Sequence, residues 1–154
     1  MDARSWTRPA LALLLAGLIL AVVAAAPAAE DPARQLFERY VALGHAYDAS
    51  LADLYADDAF IKNTRTYPTG EARELTMPAP KYKALIRQAM PLARARGDRS
   101  TFSDVRYATE GSRVRIRASR FSELKKYASP FSLLVGPSAS GTWLIYEEVS
   151  ESRP

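Results

Sequence analysis

The chain has 154 residues, 48% of them hydrophobic and 25% charged, a balance typical of one globular domain and not of a disordered protein. It contains no cysteine and a single histidine, His45. This composition excludes a disulfide framework, a thiolate zinc site, a cysteine nucleophile and any metal site with several histidine ligands. We expect neither a metal nor a cofactor.

The N-terminus has the three parts of a secretory signal peptide. A mildly basic start precedes an unbroken apolar run, residues 10–26, and the small residues Ala26-Pro27-Ala28 follow. We expect cleavage near Ala28, so that residues 1–28 are the signal peptide and residues 29–154 a single exported domain, periplasmic or secreted. The alternative is an uncleaved membrane anchor, because the run is at the short limit for a spanning helix.

Charge is unevenly distributed along the predicted mature chain. Residues 30–58 contain seven acidic and two basic residues, whereas residues 59–126 contain sixteen basic and six acidic ones. A basic region of this kind attracts anions, acidic proteins, phospholipid head groups or nucleic acid, and it can equally be a solvated surface. Because we expect export, we expect no nucleic-acid partner.

The mature chain begins with helical periodicity. Apolar residues at helical spacing predict an amphipathic helix over 32–47, with Asp31 as its N-cap, and a shorter helix over 50–55. A strand is predicted over 60–67.

The next segment contains a turn, a strand and a helix. Pro68-Thr69-Gly70 predicts a turn, followed by a weaker strand over 71–76. A third helix is predicted over 80–96, where Pro91 should kink it or tighten a turn and Gly97 should end it.

After Gly97 the pattern changes to the alternation of β-strands. The four predicted strands span residues 101–110, 113–121, 131–135 and 142–150, with a two-residue turn at Gly111-Ser112. Three helices and six strands joined by short turns predict an α+β domain, in which the helices pack on one face of a curved, mostly antiparallel sheet.

Two stretches carry a family resemblance. The segment E-R-Y-V-A-L at residues 38–43 and the segment L-Y-A-D-D-A-F-I at residues 54–61 resemble the opening of the nuclear transport factor 2-like superfamily. This superfamily includes ketosteroid isomerase and the polyketide cyclases. The resemblance covers essentially the whole mature chain and implies a cone-shaped, cystatin-like fold, but it is nearly silent about function.

The isomerase branch of that superfamily implies specific residues. Tyr40 corresponds to its oxyanion-hole tyrosine, whereas Asn63 stands where its general-base aspartate belongs. An amide cannot take up a proton as a carboxylate does. No aspartate follows Asp104, so the second acid of the oxyanion hole is also missing. We therefore expect no ketosteroid isomerase activity and assign no catalytic residue.

Five residues are candidates for a ligand pocket. Tyr40 and Tyr47 share one face of the first helix, and Asn63, Arg65 and Tyr67 share one face of the first strand. Aromatic walls, one amide and one cation would suit a small polar or anionic ligand. The alternative is an ordinary core whose tyrosines reach water at its rim.

A second candidate is an arginine-rich sheet face. Alternation places Arg113, Arg115 and Arg117 on one side of their strand, with Arg106 on the neighbouring strand. The two-residue turn predicts three cross-strand pairs: Glu110 with Arg113, Arg106 with Arg117, and Asp104 with Ser119. This face could bind an anionic partner, form a homodimer, or simply be solvated.

Other residues offer weaker signals. We interpret His45 as a surface histidine, because it falls on the polar side of its helix and no G-x-S-x-G motif accompanies it. Asp57 and Asp58 are too few for a metal site and fit turn capping better.

These observations predict an exported, non-catalytic module that binds a small molecule or a protein. The first alternative is a small cofactor-independent enzyme of the isomerase, lyase or hydrolase type, which would need a carboxylate or histidine in the pocket. The second is a membrane-anchored assembly component.

Overall fold

The computed structural model describes residues 29–154, so the predicted signal peptide, residues 1–28, lies outside the described residues. Within the described range, no helix is long and apolar enough to cross a membrane. The described elements follow in chain order: α1 (Glu30–Ala46), a 3-10 helix (Ala49–Leu54), β1 (Tyr55–Thr66), β2 (Ala72–Pro78), α2 (Ala79–Arg96), β3 (Ser100–Glu110), β4 (Arg113–Ser122), β5 (Tyr127–Pro137) and β6 (Trp143–Ser152).

The six strands form one sheet in the order β2-β1-β6-β5-β4-β3. All neighbours are antiparallel except β1 and β6, which run parallel. The predicted α+β class and mostly antiparallel six-stranded sheet are confirmed.

Helix starts differ from the sequence prediction. α1 begins at Glu30, its N-cap is Ala29, and no side chain caps it. The prediction of Asp31 as N-cap is therefore wrong. Asp31 lies in the first turn instead, where its negative charge interacts favourably with the positive end of the helix dipole and stabilises the helix.

The second helix is a single short 3-10 segment. Asp48 caps it by accepting a hydrogen bond from the Ser50 amide at 2.8 Å. The chain becomes extended at Tyr55, five residues before the predicted start of β1, because Tyr55 pairs with Ile145 of β6. Gly97 ends α2, as predicted, in the left-handed backbone conformation with φ 64°.

The core lies between the helices and the concave face of the sheet. Val114, Ile116, Leu133, Val135 and Ile145 from three central strands have no exposed surface. Four aromatic rings continue this core toward one end of the cone, with centroids 5.1–6.2 Å apart: Phe37, Tyr40, Phe102 and Phe131.

Irregularities in β6 and β3 help to decide which side chains face this concave surface. In β6, Ile145 pairs with Val135 but Glu147 pairs with Leu134, so Tyr146 is an extra residue. The extra residue turns Glu148 inward beside Leu133.

The second irregularity is in β3, where Asp104 has φ 53°. Ser103 opposes Ser119 there, and the predicted pairing of Asp104 with Ser119 is wrong because β3 contains an extra residue. The other two predicted pairs, Glu110 with Arg113 and Arg106 with Arg117, are confirmed.

Candidate functional site

An open cavity of ≈ 210 Å³ lies between α1, α2 and β3 at the wide end of the cone. Its walls are mainly apolar and aromatic, and the side chains that line them include Val41, Leu51, Ile86, Met90 and Phe102. Arg120 of β4 lies at one end. We call this space the apolar cavity.

Tyr40 and Tyr47, both predicted as pocket residues, line the apolar cavity. The Tyr40 ring lies 5.8 Å from Phe131 and 6.1 Å from Phe102, centroid to centroid. Burial, reinforced by the charge of Glu148, raises the pKa of the Tyr40 phenol well above its usual range. Tyr40 is therefore a neutral side chain.

The Tyr47 ring lies at the rim of the cavity between two guanidinium groups. The guanidinium carbons of Arg94 and Arg99 are 5.9 and 5.5 Å from its centroid. Both distances are within the range of cation–π attraction, so the arginines hold the ring in place at the entrance.

His45 also lines the apolar cavity and is half-buried. Its Nε2 donates a hydrogen bond to the Ser100 carbonyl oxygen over 2.9 Å, since a carbonyl can only accept. The interpretation of His45 as a surface histidine is wrong, because its ring is half-buried and the hydrogen bond links α1 to Ser100 of β3.

A buried carboxyl group lies deeper in the cone. Glu148 has 2% of its surface exposed and accepts hydrogen bonds from the hydroxyls of Tyr55 and, at 2.9 Å, Tyr82. The two tyrosine rings meet edge to face, 5.4 Å apart. We call Glu148, Tyr55 and Tyr82 the carboxyl cluster.

Burial dominates the electrostatics of the carboxyl cluster. It raises the pKa of Glu148, while the two phenol hydrogen bonds and the charge of Arg120 oppose the rise. Burial likewise raises the pKa of both phenols, and the charge of Glu148 adds to the effect. The sequence analysis missed this carboxyl group. The signal that could have found it is the acidic pair Glu147-Glu148 within an apolar strand.

Asn63 and Tyr67, two further predicted pocket residues, do not line the apolar cavity. The Asn63 amide donates to Ser150 Oγ at 3.0 Å and accepts from Ser152 Oγ at 2.7 Å. Tyr67 follows the end of β1, and the guanidinium carbon of Arg65 lies 5.7 Å from its ring centroid. The structure therefore separates the five predicted residues into different environments.

Arg65, the remaining predicted pocket residue, lines a second cavity of ≈ 300 Å³. We call it the cationic cavity, because four of its nine lining residues are basic. It shares Asp98, Ser100 and Arg120 with the apolar cavity, so the two spaces adjoin. The lining residues are Arg65, Asp98, Ser100, Arg120, Ser122, Lys125, Tyr127, Ser152 and Arg153.

The arginine-rich face lies on the convex side of the sheet, and its members differ. Arg115 bonds to Glu147 and, at 3.2 Å, to Glu110, and its side chain is 14% exposed. Arg117 on the same strand is 61% exposed.

The other two members of this face make no ion pair within the described residues. Arg113 lies over the Tyr146 ring, 3.9 Å from its centroid. Arg106 is exposed. Whether this face contacts a partner or a second copy stays a prediction.

The turn capping predicted for Asp57 and Asp58 is wrong, because both residues lie within β1. Asp57 bonds to Lys83 at 2.6 Å, which lowers the pKa of the Asp57 carboxyl. Within residues 29–154, no group of three or more His, Asp or Glu side chains is arranged to hold a metal ion.

Comparison with solved structures identifies the fold. An NTF2-like protein of cystatin-like fold from Novosphingobium aromaticivorans matches with a TM-score of 0.55 and 18% identity over 80% of each chain. An NTF2-like protein of unknown function from Pseudomonas putida matches with a TM-score of 0.62 and 16% identity, covering 81% of this chain and 87% of its own.

A third structural neighbour, from Streptomyces avermitilis, is provisionally named as a dehydratase of the NTF2-like family. Its TM-score is 0.57 and its identity 12%, with coverage of 79% of this chain and 93% of its own. No protein-family model matches the sequence, and no curated protein matches it significantly. The chain has the nuclear transport factor 2-like fold, which confirms the resemblance at the level of fold.

Proposed function

We propose that this protein is a non-catalytic binding module whose apolar cavity holds a small molecule with an apolar or aromatic body. The observation that supports this most is the open cavity itself. Apolar walls with a few polar groups at one end are typical of small-ligand sites. Here Tyr40 contributes to the wall of the cavity, and the charged group is Arg120 at its border with the cationic cavity.

The state of the ionisable groups supports binding over catalysis. Acid–base catalysis needs a proton donor or acceptor that can reach the substrate. Glu148 is enclosed, and both of its oxygens accept phenol hydrogen bonds. The His45 Nε2 is occupied by the Ser100 carbonyl. Asp98, which also lines the apolar cavity, is exposed to solvent.

Binding of anilinonaphthalene sulfonate, a fluorescent amphipathic anion, tests the proposal. Ala93 lines the apolar cavity on α2, whereas Ala95 on the same helix is exposed and lines no described cavity. We expect wild type and Ala95→Phe to bind the probe with the same affinity, and Ala93→Phe to bind it at least about tenfold more weakly, because the added ring fills the site. Equal affinities for all three proteins would contradict the proposal.

One observation favours a second candidate, a cofactor-independent acid–base enzyme of the isomerase, lyase or hydrolase type. Glu148 is a buried carboxyl with a raised pKa. Its charge also raises the pKa of Tyr40, which lines the apolar cavity. Perturbed carboxyl groups beside cavities are frequent in active sites. The dehydratase name of the Streptomyces neighbour points the same way.

Hydrogen–deuterium exchange at the α-carbon of simple ketones separates the two candidates. An isomerase or lyase that removes an α-proton would accelerate exchange in deuterated buffer, and Glu148→Gln would abolish the acceleration while leaving probe binding intact. We expect no acceleration by wild type. We also expect no turnover of a ketosteroid, because the amide of Asn63 holds the place of the base and is already bonded to two serines.

Export is part of the proposal and rests on residues 1–28. The apolar run and the Ala26-Pro27-Ala28 exit support cleavage near Ala28. N-terminal sequencing of the protein from cells that express the full chain should begin within two residues of Ala29. Recovery of intact Met1 in the membrane fraction would favour the anchored alternative.

A further inference from the structure

The cationic cavity has an unusual charge balance for a surface depression. Two arginines from the sheet, Arg65 and Arg120, line it together with Lys125 and Arg153, and Asp98 is its one carboxylate. None of the four basic side chains makes an ion pair with a carboxylate within the part of the chain that the structure describes. The cavity therefore has positive charge in excess and attracts an anion.

The curvature of the sheet builds this cavity from distant parts of the chain. Arg65, near the end of β1, pairs with Ser152 of β6. Across the sheet, Ser122 at the end of β4 pairs with both Ser100 of β3 and Tyr127 of β5. Strand ends thus bring Ser100, Ser122 and Ser152 next to the four basic residues. The Ser152 hydroxyl already donates to Asn63.

Arg65 has one N–H donor without a hydrogen-bond acceptor among the described residues. Its Nε is buried and has no hydrogen-bond partner among the described residues. A buried donor without an acceptor is unfavourable, and a water, an ion or another polar group that accepts from it would relieve this cost. The guanidinium is also held in place, because it lies over the Tyr67 ring at 5.7 Å.

Arg120 is fixed in a similar way and belongs to both cavities. It donates to the Glu151 carbonyl and lies 5.8 Å from the Phe131 ring centroid. Its remaining donors are available at the boundary between the apolar and cationic cavities. A ligand seated here can place its charge on one side of Arg120 and its apolar body on the other.

We propose that the cationic cavity binds a phosphate group. Several cations and hydroxyls converge there, and a tetrahedral dianion offers more acceptor oxygens and more charge than a monocarboxylate. Arginine matches phosphate through paired N–H donors. This inference deepens the proposed function: if the apolar cavity is occupied by the same ligand, that ligand is an amphipathic phosphate monoester with its head group in the cationic cavity.

Calorimetric titration with inorganic phosphate tests the cationic cavity alone, in a phosphate-free buffer at constant ionic strength. We expect binding by wild type and a loss of at least about tenfold in affinity for Arg65→Gln, because charge-assisted hydrogen bonds to phosphate disappear. Lys125→Gln, a change at an exposed side chain, should also weaken binding. Arg117→Gln on the convex face is the matched control and should bind as wild type does.

Dodecyl phosphate distinguishes the two sources of the phosphate group. At least about tenfold tighter binding than inorganic phosphate, lost in Ala93→Phe, would assign a head group with an apolar tail. Equal affinities for dodecyl phosphate and inorganic phosphate would assign free phosphate to the cationic cavity. They would contradict the inference that one ligand occupies both cavities, but not the phosphate site itself. No binding of inorganic phosphate, or equal losses in Arg65→Gln and Arg117→Gln, would overturn the phosphate site even if the apolar cavity binds its fluorescent probe.

Discussion

At the scale of single residues, Glu148 shows how burial and hydrogen bonding compete. Removal from water disfavours the charged carboxylate, and two phenol donors only partly compensate. A carboxyl whose pKa is higher in the folded state stabilises the fold while it is protonated. That contribution is complete below the unfolded pKa, about 4.3 for glutamate, and is lost as the pH rises through the folded value.

This gives a prediction with a definite sign. The free energy of unfolding of wild type minus that of Glu148→Gln should fall as the pH rises above about 4.3. The exposed Glu110 is the matched contrast, because its hydrogen bonds to Arg115 lower the pKa of the Glu110 carboxyl. Wild type minus Glu110→Gln should therefore rise with pH. Denaturant titrations at several pH values measure both differences; a rising difference for Glu148 would contradict the raised pKa.

Arg115 and Arg117 share one face of β4 but differ in burial and pairing. The Arg115 side chain is 14% exposed and pairs with two glutamates, whereas that of Arg117 is 61% exposed and has one longer contact, 3.9 Å, with Glu110. Arg115→Gln should destabilise the domain by about 1–3 kcal/mol, since charge-assisted bonds to two glutamates are lost. Arg117→Gln should change stability by less than about 0.5 kcal/mol. Thermal unfolding of both variants measures the two changes in stability. Equal changes would contradict a stabilising role for the ion pairs that Arg115 makes with Glu110 and Glu147.

At the scale of elements, the bulge in β3 depends on the backbone of Asp104. A φ of 53° is unfavourable for most L-residues, and aspartate tolerates it better than β-branched residues do. Asp104→Val should cost about 1–2 kcal/mol, whereas Asp104→Gly should be neutral or stabilising. Ser103→Val, at the preceding residue of the same strand, is the control and should be tolerated. Equal losses for Val at both positions would contradict a role for the positive φ.

Element type was predictable from the sequence because periodicity and turn residues are local signals. The hairpin at Gly111-Ser112 formed as predicted, with Gly111 at φ 64°. Bulges are different, since a single extra residue leaves no clear mark in a pattern of alternating residues. The one at Tyr146 reverses the facing of every later residue in β6 and turns Glu148 inward. Sequence alternation therefore could not place the carboxyl cluster.

At the scale of the whole molecule, the basic middle of the chain divides between two surfaces. Alternation along β4 directs Arg117 to the convex face and Arg120 to the concave one. The sequence predicted an arginine-rich sheet face and one pocket arginine, Arg65. It could not predict that curvature brings Arg65 and Arg120 to one cavity, because two strands and a helix separate them in the chain and they meet only through the sheet order.

The same curvature explains why the candidate site lies at the open end of the cone. The narrow part is filled by fully buried side chains such as Ile116, Leu133 and Ile145. Toward the wide end the helices diverge from the sheet, and space remains between Tyr40, Met90 and Phe102. We propose that this space holds the apolar part of a ligand.

Methyl-resolved NMR during titration with dodecyl phosphate tests this claim most directly. We expect the resonances of Val41, Ile86 and Met90, which line the apolar cavity, to shift together and saturate with one equivalent of ligand. Leu92 and Leu75, which are exposed elsewhere, should not move. Shifts confined to the exposed leucines, or no saturable change at the cavity methyl groups, would contradict the claim.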